Sequence, residues 1–133
     1  MPKKAVIDTN VWLSALYFSG KPAQIVDLVE NKKLTSVTSS FILEELKDKI
    51  VNTFDTPAFY AADTVSYIQS ISQQVPLKGV DFRVRDSADN QVLETAVVGK
   101  CNWIITGDKD LLTVKKYKNI KIVNPDQFLN IKG

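Results

Sequence analysis

Two short stretches carry the residues best suited to chemistry. In AVIDTN (residues 5–10) an apolar run ends on Asp8, followed by Thr9 and Asn10; in WIITGDKD (103–110) another ends on Thr106, Gly107 and Asp108, with Asp110 two residues further on. A charge at the end of a buried strand is costly to desolvate, so its appearance twice asks for a use. Between them lie Glu45, in FILEELKDKI, and Asp86 and Asp89, in RDSADNQVLETA. Carboxylates gathered at one place repel each other and take up protons unless a cation neutralises them. A divalent ion does so, and phosphate oxygens complete its shell. The chemistry that wants this arrangement is phosphoryl transfer, in which metal ions polarise the phosphate, lower the pKa of an attacking water and stabilise the leaving oxygen. Each acid also has a plainer reading. Asp8 in DTN is a good helix N-cap, Asp86 and Asp89 sit among turn and cap residues, and Glu45 is a helix charge within reach of Lys49 one turn on. Asp108 and Asp110 are turn and cap residues after Gly107. What these readings lack is a reason for the acids to accumulate at one end of one sheet.

The elements that must position them alternate. Lys4 to Asp8, LTSVTS, QVPL, NWIIT and IKIVN read as strands, the second rich in β-branched residues and the third held to an edge by Pro76. Helical stretches separate them. VWLSALYF comes first, then PAQIVDLVEN, with Pro22 in its first turn. FILEELKDKIV follows a Ser39 or Ser40 cap, with Phe41, Leu43, Leu46 and Ile50 as its stripe. A helix from Ala58 to Ser72 has Tyr60, Val65 and Ile68 inward, and QVLETAVVGK has Val92, Leu93, Ala96 and Val97 inward, with Gly99 helping to end it. DKDLLTV and PDQFLNI are the last two. Strands separated by helices predict an α/β fold, a three-layer α/β/α sandwich around a central parallel sheet, where function gathers outside the carboxyl ends of the strands.

At 133 residues with no repeat or Pro/Gly-rich linker, the expectation is one domain over residues 1–133. The single cysteine, Cys101, excludes a disulfide framework and suits a reducing cytoplasm; with no histidine, zinc sites of the Cys/His type and His-dependent triads are excluded too. Any metal is therefore expected on oxygen, as Mg²⁺ or Mn²⁺. No apolar run is long enough for a bilayer, so a cytoplasmic protein away from the membrane is expected. The net charge of +2 averages an acidic group against a lysine-rich remainder, in which Arg83 and Arg85 are the arginines. Lys47, Lys49, Lys109, Lys115 and Lys116 are candidates to touch phosphate, with solvated faces the plainer reading for most of them.

No glycine comes directly after the first strand, which excludes a dinucleotide-binding turn and a P-loop. A haloacid-dehalogenase-like phosphatase, with Asp8 as nucleophile, is nearer. Its first motif carries a second Asp two residues on, however, and this chain has Asn10.

IDTNVWLSAL, TSSFILEELKDKI, RDSADNQVLETA and WIITGDKDLL, in that order, together with the final VNPDQFL, make the sequence resemble the PIN-domain family, in particular its toxin-like, VapC-like branch. The resemblance implies a metal-dependent ribonuclease, with Asp8, Asp89 and Asp108 holding Mg²⁺ or Mn²⁺, Glu45 completing the pocket, Thr106 fixing the loop and Asn10 bracing Asp8. Asp86 and Asp110 are outer candidates. Hydrolysis by an activated water would leave a 5′-phosphate and a 3′-hydroxyl. DSAD stands where the family more often shows DPDD or DPKD, which removes one acid. Such proteins are often toxins held by an antitoxin and commonly homodimerise; Trp12, Leu16, Tyr17 and Phe18, with Tyr60 and Tyr67, offer core and interface candidates. A module on the same fold that binds RNA or protein without turnover is the alternative outside enzymes.

Overall fold

The computed structural model describes residues 3–78 and 87–132. The chain begins with β1 (Lys3–Ile7), α1 (Thr9–Tyr17), α2 (Lys21–Glu30) and β2 (Leu34–Thr38). It continues through α3 (Ser40–Thr53), α4 (Ala58–Ser70) and β3 (Ser72–Gln74), and then α5 (Ser87–Val98) and β4 (Trp103–Ile105). α6 (Lys109–Val114), β5 (Lys116–Tyr117), β6 (Ile120–Val123) and α7 (Pro125–Lys132) complete it. The strands form one sheet in the order β3-β2-β1-β4-β6-β5, parallel except for β5, which runs antiparallel to β6. None of the described helices is long and apolar enough to cross a membrane.

The sequence pattern explains the two central strands. Ala5, Val6 and Ile7 of β1 and Ile104 and Ile105 of β4 are fully buried, as continuous apolar strands in a sheet covered on both faces should be. The first strand leads by way of β2 towards one edge of the sheet. The chain then crosses back through α5 to place β4 on the other side of β1. The order of strands therefore reverses between β1 and β4, and their carboxyl ends border a crevice there.

Several helix faces match their stripes and some do not. Ile42, Leu43, Leu46 and Ile50 of α3 are buried while Phe41 is only half-buried. In α4, Ala61 and Ile68 are the buried positions, and Tyr60, expected inward, is exposed because it lies in the first turn beyond the cover of α3. Val97 of α5 is half-buried. The third strand shares only Gln74 with the expected QVPL: Val75 donates its backbone N–H to Thr38 (2.9 Å) and the ladder stops at Pro76, which has no N–H to continue it. β3 is an edge strand, as Pro76 requires.

Gly99 serves the end of α5 differently from expectation. The left-handed residue is Lys100 (φ 56°), whose N–H reaches Val97 O (3.1 Å) while that of Cys101 reaches Ala96 O (2.9 Å), the bond pair of a Schellman cap. Lys32 (φ 60°) closes α2 with the same pair, from Lys32 to Val29 and from Lys33 to Leu28. Gly99 is there for close approach: a Cβ at that position would stand 2.5 Å from Val37 Cγ1 on β2. The β5 strand lay hidden in the lysine-rich KKYKN, where a two-residue turn with Lys118 at φ 54° folds Tyr117 back opposite Ile120.

Candidate active site

The crevice between β1 and β4 is built around a buried carboxylate. Asp8 follows β1, its backbone N–H donating to Ile105 O of β4 (3.0 Å), so the two strand ends are tied at this point. Asp8 caps α1, and Oδ1 accepts from the Thr9 N–H (2.8 Å). Oδ2 accepts from Thr106 Oγ1 at 2.7 Å, inside the protein. Thr106 Oγ1 in turn accepts from the Asp108 N–H (3.0 Å), so one fully buried hydroxyl links the first acid to the second. Burial lifts the Asp8 carboxyl above the ordinary 3.8; the Thr106 and Thr9 hydrogen bonds pull it down, and the like charges of Glu45 and Asp108 push it up again. Those two repulsions put Glu45, half-buried on α3, and Asp108 beside it.

Asp108 caps α6, with Oδ1 accepting from the N–H groups of Asp110 (2.7 Å) and Leu111 (3.3 Å). That turn aims Asp110 back over the crevice. Asp89 enters from a third direction, in the first turn of α5, where a negative charge suits the helix end. Asp89 is buried, Asp108 half-buried and Asp110 exposed, and one carboxylate oxygen of each lies within 4.8 Å of the others. This all-oxygen set fits a hard divalent cation of the Mg²⁺ or Mn²⁺ kind and suits a thiophilic metal poorly.

The structure thus brings Asp8, Glu45, Asp89, Asp108, Asp110 and Thr106 to one place, with two changes of position from the sequence reading. Asp110, expected outside, stands in the closest trio, and Asp8 is not one of those three, each of its oxygens accepting one hydrogen bond. Asn10 does not brace Asp8. It lies exposed in the first turn of α1, and its Oδ1 accepts from Lys49 Nζ (3.0 Å); Thr106 supplies the brace. Lys49 consequently does not pair with Glu45, and Lys21–Asp126 is the one ion pair among the described residues. Asp86 lies outside the described residues.

Sequence reasoning passed over Glu94, whose carboxylate is buried on α5 and accepts from the Lys78 backbone N–H. The signal was a lone charge within VLETAVV. It also passed over the Thr95–Ser39 hydroxyl pair (3.0 Å), which fastens the start of α3 to α5; Ser39 sits at the cap position but spends its side chain there. Cys101 is buried, which pushes its thiol up to about 12 and keeps it protonated.

Residues 4–110 match the family model of the PIN domain, a span that includes every acid of the crevice. The chain belongs to the PIN-domain family. It is 33% identical over 139 residues, 95% of this chain and 89% of the relative, to the uncharacterized protein MJ1680 of Methanocaldococcus jannaschii. Its fold is similar to that of a chain in the crystal structure of VapBC2 from Rickettsia felis bound to a DNA fragment from their promoter, with a TM-score of 0.65 at 14% identity, covering 91% of this chain and 98% of that one.

Proposed function

We propose that this protein is a Mg²⁺- or Mn²⁺-dependent endoribonuclease and the toxin of a toxin–antitoxin pair. The observation that carries the reading is the convergence of Asp89, Asp108 and Asp110 beside a buried, pKa-raised Asp8 at the β1–β4 crevice. A bound ion would supply charge neutralisation for the phosphate and a more acidic water. Asp89, Asp108 and Asp110 would hold it. Asp8, locked by Thr9 and Thr106, orients Asp108 through the shared hydroxyl and keeps negative charge behind the trio. Glu45, half-buried on the facing helix, is the group left to accept a proton from the attacking water.

The partner side of the proposal is supported by a ridge of exposed aromatics. Tyr17 stacks on Phe54 (4.3 Å), and Phe18, Phe59 and Tyr60 lie exposed on α1 and around the α3–α4 connection, more apolar surface than scattered single residues would give. The structurally similar VapBC2 is itself an assembly bound to promoter DNA. The phosphatase reading is weaker, because Asp8 is 7% exposed and the second Asp that its first motif needs is here Asn10, which accepts from Lys49.

The test is cleavage of labelled single-stranded RNA in Mn²⁺ by the wild type and by Asp108→Asn. The wild type should cut and leave 5′-phosphates, and the variant should be at least about 100-fold slower, more than outer-shell changes cost. Equal rates in extensively purified samples would overturn the assignment.

A further inference from the structure

α3 carries Glu45 and, one turn later, Lys49, the order that favours an ion pair along a helix. That pair does not form: among the described residues Lys49 meets no carboxylate within ion-pair distance, and its Nζ donates to the neutral amide oxygen of Asn10 (3.0 Å). A neutral acceptor leaves the full positive charge in place and two of the three ammonium protons unspent. The residue is half-buried and its ammonium is tied at the surface to one partner, Asn10. Its holder, Asn10, lies two residues beyond Asp8 in the first turn of α1 and is exposed. The ammonium therefore stands at the rim of the acidic crevice, on the lip formed by α1 and α3.

That lip meets an electrostatic need. Asp8, Glu45, Asp89, Asp108 and Asp110 crowd the crevice, more carboxylates than one doubly charged ion would offset. A polyanionic strand approaching such a pocket is repelled unless a fixed cation meets it at the edge. An ammonium already paired with Glu45 would be partly cancelled; one parked on an amide is not.

We propose that Lys49 is the anchor for a backbone phosphate of the bound RNA, next to the scissile one, and that Asn10 is a positioning residue that diverts Lys49 from Glu45 and presents it to the strand. The assignment rests on the ribonuclease reading and adds to it a residue outside the acid cluster.

Single-stranded RNA cleavage by the full chain in Mn²⁺, at several salt concentrations, tests it. Lys49→Gln should raise KM about tenfold with kcat retained and lower the salt slope of binding by about 1, the loss of one phosphate contact. Lys49→Arg should restore most of the affinity. Asn10→Asp, nearly the same size but charged, should pair with Lys49 and reproduce the KM defect, while the Mn²⁺-induced rise in melting temperature stays intact in all three. If the wild type cuts RNA and Lys49→Gln changes neither KM nor the salt slope, the anchor is wrong and the nuclease reading stands. A variant losing kcat and the Mn²⁺ effect together would likewise overturn it in favour of a structural role. A wild type that neither binds nor cuts RNA overturns both readings at once.

Discussion

The chain uses one local device twice, a buried strand running into an aspartate that caps the next helix, and the two results differ. Asp8 after β1 is 7% exposed, has both oxygens hydrogen-bonded and a raised pKa. Asp108 after β4 is half-buried, gives Oδ1 to the amides of α6 and has a carboxylate oxygen within 4.8 Å of those of Asp89 and Asp110. The difference comes from the residues that flank each acid. Both acids run straight into a helix, but the first helical residue after Asp8, Thr9, is buried, whereas the one after Asp108, Lys109, is exposed. Gly107 precedes Asp108 and no atom crowds its Cα on the open side, which lets the second carboxylate stand out over the crevice. The same motif makes an internal anchor in one case and an accessible carboxylate at the crevice in the other.

The sharpest way to break this comparison is to remove each acid in turn and read Mn²⁺ binding by thermal shift. Asp108→Asn should abolish the Mn²⁺-induced stabilisation, whereas Asp8→Asn should weaken binding about 10- to 100-fold, the usual cost of losing an outer-shell support. Equal loss in both would make Asp8 a direct ligand. Thr106→Val comes next. It deletes the hydroxyl shared by both acids, so it should destabilise the fold by about 1–3 kcal/mol through the unsatisfied Asp8 oxygen and raise the Asp8 pKa further, seen as an activity profile displaced to higher pH.

A smaller effect should go the opposite way. A carboxyl whose folded pKa is raised contributes stability that is complete below its unfolded value of 3.8 and is lost as pH rises through the folded value. At pH 7, above the unfolded value, burying Asp8 is thus a cost to the metal-free protein. Asp8→Asn should raise the metal-free melting temperature there by a few degrees, the scale of about 1 kcal/mol in a chain of this size, with the advantage vanishing below about pH 4; a lowered melting temperature at pH 7 would contradict the cause assigned to the shift. Smallest is Lys100→Gly, which relieves a left-handed lysine at φ 56° and should add roughly 1 kcal/mol, measurable by denaturant midpoint. The neighbouring Gly99→Ala would instead drive a methyl into Val37 and cost about 1–3 kcal/mol.

The same contrast separates what the sequence could disclose from what it could not. Strand, acid and helix start are written in neighbouring letters, so Asp8, Asp108 and the parallel core were legible, as was Glu45 from its place in a striped helix. Which acids come closest to one another was not, because it turns on the direction of a single helical turn that brings Asp110 to Asp89 and Asp108. The partner of Asn10 was equally hidden, since Lys49 is 39 residues away and only tertiary packing joins them. The lysines at positive φ and the two-residue β5 were missed for a related reason: Lys is a poor signal for a turn, and tertiary context overrode its preference.

The insertion of β4 beside β1 also has a temporal consequence. The bond from Thr106 to Asp8 spans 98 residues, and the trio needs Asp110 as well, so no stretch of chain that stops short of Asp110 can complete the crevice. In a nascent chain the crevice stays incomplete until Asp110 and β6 have left the exit tunnel and closed the sheet. For the proposed ribonuclease, whose substrate is the very material of its own translation, late closure of the loop is a built-in delay on arming.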